Sequence, residues 1–376
     1  GRSSTQFNTA GKDAIHGNHM AQMQVIVHFL LLATAHFCSA ESSFPLVRNT
    51  TIQSVLTFGD SIMDTGNNNY RLSVSKSNFP PYGRDFEGGK PTGRFSNGKV
   101  ASDFLVEAFG LKELLPPYKD RSLADKDLLS GVSFASAGAG IDNLTSIVMG
   151  GVPWKEQLEE FIDYKEKVAA ILGGEGGMQL LENSLIAVVI GSNDILATFY
   201  LTRLRSLQFD IDSYTTFLVS AATSFVKEIF GLGGRRIVVL GIPPVGCVPL
   251  IRFLLGGISR DCREDINRAS QLYNRKLATE IMSISKKLRD ATLVYIDLYT
   301  PFMDIIVNPA EYGIKVVSRG CCGTGSVELS YLCNKHSSHT CTDSSDYMFW
   351  DSVHPTERTS GILVDKLLKT YGHLLF

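Results

Sequence analysis

Three residues of this sequence have the types that nucleophilic acyl chemistry requires: Ser61, Asp351 and His354. Ser61 closes the run Phe58-Gly59-Asp60-Ser61, directly after a β-prone apolar stretch. A serine on such a strand-to-helix turn offers its hydroxyl outward, beside the amide dipoles of the helix start. A lone serine there is equally well explained as a helix N-cap. A neutral imidazole such as His354 can take the serine proton during attack and return it to a leaving alcohol. Asp351 lies three residues earlier in Asp351-Ser352-Val353-His354-Pro355 and can turn back onto the other ring nitrogen. There it would fix the tautomer and stabilise the imidazolium. Pro355 restrains the backbone after His354, although the same spacing also occurs in ordinary surface turns.

The oxyanion formed in such an attack needs preorganised donors. The backbone N–H groups of Ser61 and of Gly138 (or Ala137), with the side-chain amide of Asn193, would supply three. Each also has a simpler use: Gly138 and Gly140 in tight turns, Asn193 as a cap or Asx-turn. Their order along the chain, each just after an apolar run, favours a common site. Asp60 and Asp194 are possible metal ligands by type. No histidine cluster or recognisable carboxylate spacing accompanies them, so no metal is expected. The G-x-S-x-G elbow of α/β-hydrolases is absent, which argues against that fold.

The elements that must position these residues alternate in type. Ser54–Phe58, Gly131–Ala135, Ser184–Ile190, Arg236–Leu240 and Thr292–Ile296 read as short buried strands, each ending in turn-forming or polar residues. Between or after them, segments 154–172, 213–231, 261–289 and 357–371 carry apolar residues at three-four spacing, as amphipathic helices do. In the third, that face is Ile266, Ala269, Tyr273, Leu277, Ile281, Ile284 and Leu288. Alternation of this kind predicts an α/β fold with a parallel sheet of about five strands. Ligands of such sheets bind at the carboxyl ends of the strands, which brings Ser61, Gly138, Asn193 and Asp194 to one edge. Residues 73–98 read as loop and 308–350 as an irregular, cysteine-bearing insertion. No linker divides the chain, so residues 41–376 are expected to form a single domain.

With 44% hydrophobic and 20% charged residues, the 376-residue chain can bury a large core. A net charge of −2 without basic runs gives no footing for nucleic acid. Residues 1–22 read as an upstream leader or non-native extension. Residues 23–40 read as a signal peptide, with an apolar core at Val25–Ala33 and Cys38-Ser39-Ala40 at its end. No later apolar run is long enough to span a bilayer. Six cysteines remain after export: Cys247, Cys262, Cys321, Cys322, Cys333 and Cys341. An even number in an exported chain suggests disulfides, with the pairing open. The adjacent pair at 321–322 does not fit zinc-ligand spacing. Asn49-Thr50-Thr51 and Asn143-Leu144-Thr145 are sequons for glycosylation at Asn49 and Asn143.

The run Phe58-Gly59-Asp60-Ser61-Ile62-Met63-Asp64-Thr65-Gly66-Asn67-Asn68-Asn69 resembles the opening block of plant GDSL esterase/lipases, members of the SGNH hydrolase superfamily. The resemblance continues through Pro91–Gly98, Ser133–Gly140, Gly191-Ser192-Asn193-Asp194, Gly320–Gly325 and Asp351–Pro355, over most of the mature chain. It implies a three-layer α/β/α flavodoxin-like fold and ester hydrolysis through an acyl-serine, without a cofactor. Carried over by position, Ser61 is the nucleophile, His354 its base and Asp351 the orienter of His354. Asn193 and the second-block glycine line the oxyanion hole. Ile62 stands where the motif's name has Leu, and Ala137 where Gly is frequent, so either Ala137 or Gly138 supplies the second-block amide. The expected partner is a small-molecule or lipid ester. Acyl transfer to an alcohol by the same site, or ligand binding on a non-catalytic scaffold, are the alternatives.

Overall fold

The computed structural model describes Gly1, Val47 and residues 51–375. The expected leader, the signal peptide and Asn49 lie outside the described residues. Phe44–Phe376 makes one compact unit. Its five main strands are β1 (Ser54–Gly59), β2 (Gly131–Ser133), β3 (Ser184–Val189), β4 (Arg236–Leu240) and β5 (Thr292–Ile296). All neighbours pair in parallel, in the order β2-β1-β3-β4-β5. This is the flavodoxin-like order, in which the chain reverses direction across the sheet between β1 and β3 and opens a crevice at their carboxyl ends.

The helices are α1 (Ala101–Ala108), α2 (Asp125–Ser130), α3 (Asn143–Met149), α4 (Trp154–Glu182), α5 (Ile211–Gly231), α6 (Pro249–Leu255), α7 (Glu264–Ser285), α8 (Tyr299–Val307) and α9 (Glu357–Tyr371). A π-helical segment, Asp194–Leu201, follows β3. Strand side chains alternate between faces, as the pleat dictates. Leu56, Phe58, Ile186, Val188, Ile237 and Val239 pack with residues of α4, α5 and α7. Val55, Leu185, Ala187, Val189, Val238 and Leu240 belong to the opposite layer, with α1 and the end of α9. Both faces are thus covered, which is why these strands read as continuous apolar runs. The three-layer α/β/α arrangement agrees with the sequence expectation. Aromatic packing stiffens the base of the site: Phe58 stacks on Phe134 at 4.8 Å and meets Phe161 and Phe225 edge-on.

Boundaries differ in instructive places. Helix α4 runs ten residues past the predicted end, interrupted by Gly173 at φ 79°. Leu180 and Leu181 bury against the core beyond the break, and that burial overrides the poor helix propensity of the glycine cluster. Strand β2 ends at Ser133, yet Phe134 and Ser136 still donate N–H bonds to Thr57 and Gly59 of β1. The insertion 308–350 holds a small parallel pair, β6 (Val316–Gly320) and β7 (Tyr347–Phe349). It is clamped by disulfides Cys321–Cys341 and Cys322–Cys333, while Cys247–Cys262 closes a separate loop.

Candidate active site

The turn carrying Ser61 is built by its neighbours. Gly59 ends β1 at φ 131°, and a Cβ there would lie 1.8 Å from the Val189 carbonyl of β3, so no other residue fits. Gln157 of α4 grips the same glycine from both sides, accepting its N–H and donating to its carbonyl, each at 3.0 Å. The Asp60 carbonyl accepts from Met63 and Asp64, and its carboxylate accepts from the N–H of Ile62. The expected helix after Ser61 is replaced by this single turn and a short 3₁₀ turn at Asn67–Tyr70. Gly66, at φ 128°, breaks any helix begun there, and the Asp64 carboxylate binds three backbone amides, two of them its near neighbours Gly66 and Asn67. Any dipole at Ser61 is therefore that of local amides alone. Ile62 packs partly buried against the second apolar layer.

The histidine arrives from the other end of the chain. After β7, Trp350–His354 forms a tight loop closed by a bond from the Trp350 N–H to the His354 carbonyl, 2.7 Å. Asp351 is fully buried, and its Oδ1 accepts from the N–H groups of Val353 and His354. Its Oδ2 lies 2.8 Å from Nδ1 of His354, and Nε2 of that ring lies 2.7 Å from Ser61 Oγ. Residues 293 positions apart therefore meet in one hydrogen-bonded chain. Phe95 covers the imidazole at 4.7 Å between ring centroids.

The second block is laced to the first by side-chain amides. Asn67 donates to the carbonyls of Ser133 and Ala135, and Asn68 to that of Ala137. The N–H of Ala137 is committed to Asp64 at 2.8 Å, which leaves Gly138, at φ 81°, as the second-block amide free of that bond. Asn193 donates from Nδ2 to the Ala139 carbonyl at 2.9 Å, so it borders this loop. Asp194 accepts from the N–H groups of Ile141 and Asp142; its carboxylate holds the loop's shape. The Arg94 guanidinium of the Pro91–Gly98 run forks onto buried Asp103 of α1 with two bonds of 2.7 Å. That run serves architecture: Asn97 accepts from the N–H of Glu357 at the start of α9, close behind His354.

Sequence reasoning missed Gln157, Asn67, Asn68 and Tyr82. Tyr82 is fully buried and donates to Oδ2 of Asp351 at 2.8 Å. It lies in the Pro/Gly-rich stretch read only as loop; its place beside Pro81 and Gly83 was the one available signal.

Three buried carboxyls ring this turn. Burial, the largest influence, pushes Asp60 up to about 7, and Asp64 and Asp194 up to about 6 each, from an ordinary 3.8. Between the unfolded and folded values the native chain keeps a proton that the unfolded chain has released. Stability from such a group therefore falls as pH rises through that window, by about 1.4 kcal/mol per pH unit. Asp60→Asn retains an acceptor for Ile62 and cannot titrate. Its Tm should decline less than that of the wild type between about pH 4 and about pH 7; parallel Tm curves would contradict the burial argument.

The profile of the GDSL-like Lipase/Acylhydrolase family matches residues 55–367. A GDSL esterase/lipase of Arabidopsis thaliana is 46% identical over 321 residues, covering 85% of this chain and 80% of its own length. A second from that plant, GDSL esterase/lipase EXL3, is 44% identical over 341 residues, 91% of this chain and 93% of its own.

Proposed function

We propose, from the premise that this chain belongs to the GDSL-like lipase/acylhydrolase family, that it hydrolyses carboxylic esters by carrying the acyl group on Ser61. The observation that carries this reading is the unbroken chain Ser61 Oγ–His354 Nε2 and Nδ1–Asp351 Oδ2, at 2.7 and 2.8 Å. As the Ser61 oxygen bonds to the ester carbon, Nε2 takes its proton and the carbonyl π pair moves onto oxygen. The N–H groups of Ser61 and Gly138 and the Asn193 amide are the donors assigned to that oxyanion. Collapse expels the alcohol, which takes the proton from Nε2; water then repeats the sequence and frees the acid. Asp351, by accepting from Nδ1, holds the ring in the tautomer whose Nε2 faces Ser61.

Export to the cell exterior or wall is part of the same proposal. The paired cysteines support it, since disulfides persist in oxidising compartments, as does the apolar segment at 25–33. So does the exposed side chain of Asn143 at the start of α3, a glycan acceptor by its sequon. Among the described residues no helix is long and apolar enough to cross a membrane. The mature chain is accordingly assigned to residues 41–376, as a single hydrolase domain acting on a small-molecule or lipid ester. The test is a panel of aliphatic, aryl and acylglycerol esters assayed with that chain, with and without a competing alcohol. Free acid as the product supports the proposal. Exclusive formation of a new ester would reassign the site to acyl transfer, and no turnover of any ester would overturn it.

A further inference from the structure

Asp351 Oδ2 accepts two hydrogen bonds at equal distance, 2.8 Å from His354 Nδ1 and 2.8 Å from the Tyr82 hydroxyl. That hydroxyl in turn accepts the N–H of Ser330 at 2.9 Å. With an N–H occupying one of its lone pairs, the phenol must direct its own proton at Asp351. Burial and the neighbouring carboxylate push the Tyr82 hydroxyl well above its usual range, so it remains a donor at any working pH. Ser330 is itself fixed. Its side chain ties to the carbonyls of Val74 and Lys76, and its carbonyl accepts the N–H of Cys333, which is bonded to Cys322.

Resting on the triad assignment above, we propose that Tyr82 is a positioning residue of the reaction: by sharing the Asp351 carboxylate it sets how strongly that carboxylate acts on His354, and the disulfide-clamped segment around Ser330 holds it to that task. The physical effect is a division of charge. A donor on Oδ2 draws electron density from the nearer of the two oxygens that Nδ1 reaches, Oδ1 lying at 3.0 Å, and so weakens the carboxylate's pull on the imidazolium. The other groups facing this cluster are Asp60, which acts on His354 through space, and Arg84, whose guanidinium lies 4.9 Å above the Trp350 ring beyond Tyr82. Neither touches Asp351 Oδ2, and neither changes in the variants below.

Tyr82→Phe keeps the ring contacts with Phe79, Phe95 and Trp350 and removes only the hydroxyl. With Oδ2 unshared, the imidazolium is favoured. The acid limb of the kcat/KM profile should then move to higher pH, by about half to one unit. The plateau kcat should fall about tenfold as Asp351 loses an anchor, with KM little changed. Replacing Tyr82 by 3-fluorotyrosine, nearly isosteric and a stronger donor, should move the limb to lower pH instead. These opposite displacements, with Tm close to wild type in the fluorinated protein, are what the proposal requires. A limb that stays put in the fluorinated protein, or moves the same way in both, overturns it. So does a change confined to KM, which would make Tyr82 a wall of the substrate pocket. If Tyr82→Phe fails to fold, the fluorinated protein alone decides. Loss of all ester hydrolysis by the wild type would be failure of the triad assignment, a separate result.

Discussion

Replacing Ser61 by Ala is expected to lower kcat by about five to six orders of magnitude, as loss of the nucleophile does in serine hydrolases whose triad acts as a unit. The expectation follows from geometry. Ser61 Oγ is the atom within 2.7 Å of His354 Nε2, and its turn is held by Gly59, Gln157 and Asp60 through contacts that Ala does not disturb. KM should change little, because the hydroxyl is engaged with His354 Nε2 and its loss removes attack rather than a group assigned to holding the ester. The variant should fold normally, since Ser61 Oγ bonds to the His354 ring and the turn is held by other groups. Steady-state kinetics on an activated ester read the effect directly. A loss of less than tenfold would mean that another group attacks the carbonyl.

Asp351→Asn should lower kcat by about four orders of magnitude near neutral pH, with the fold preserved. Asn can still accept at Oδ1 from Val353 and His354, which keeps the loop in shape. It would, however, turn an N–H toward either Nδ1 or the Tyr82 hydroxyl, whose proton already points there. The imidazole is then driven to the tautomer that carries its proton on Nε2, where it cannot accept from Ser61. A pH profile separates this from simple damage. Activity should recover partially at high pH, where a small fraction of hydroxide-assisted attack bypasses the base, while Tm stays near the wild-type value. A drop of only a few-fold would place Asp351 in a purely structural role.

How much of this was legible in the sequence depended on periodicity. Strands β4 and β5 and helix α9 have the expected bounds, because continuous β-branched runs and a clean amphipathic stripe leave little alternative. The parallel three-layer arrangement followed from their alternation. Helix α8 was not foreseen: Pro301 near its start and the run Ile305-Ile306-Val307 at its end read against a helix, yet Phe302 and Ile305 find the core and decide the matter. Ser61 and Asn193 stood out by type and by position after strands, and Asp351 and His354 by type and their three-residue spacing. Sheet topology implied that Ser61 and Asn193 converge; that Asp351 and His354 join Ser61 followed only from their chemistry and the family resemblance, and the structure brings these three into direct contact. Local motif reading erred just after Ser61, where a helix was expected and the Asp64 carboxylate gathers the backbone into turns. Tyr82 was beyond reach. An aromatic residue in an irregular loop carries no periodic signal, and its partner lies 269 positions away. The cysteine pairing was equally closed to sequence, since spacing alone cannot tell Cys321 from Cys322 as the partner of Cys341.

The most direct measurement is covalent. Folded wild-type protein treated with a fluorophosphonate, then digested and mapped by mass spectrometry, should carry one adduct, on the peptide containing Ser61. The His354→Ala protein should label far more slowly, because nothing remains to deprotonate the hydroxyl. An adduct on a different serine, or a folded wild type that takes no label at all, would contradict an attack launched from the end of β1.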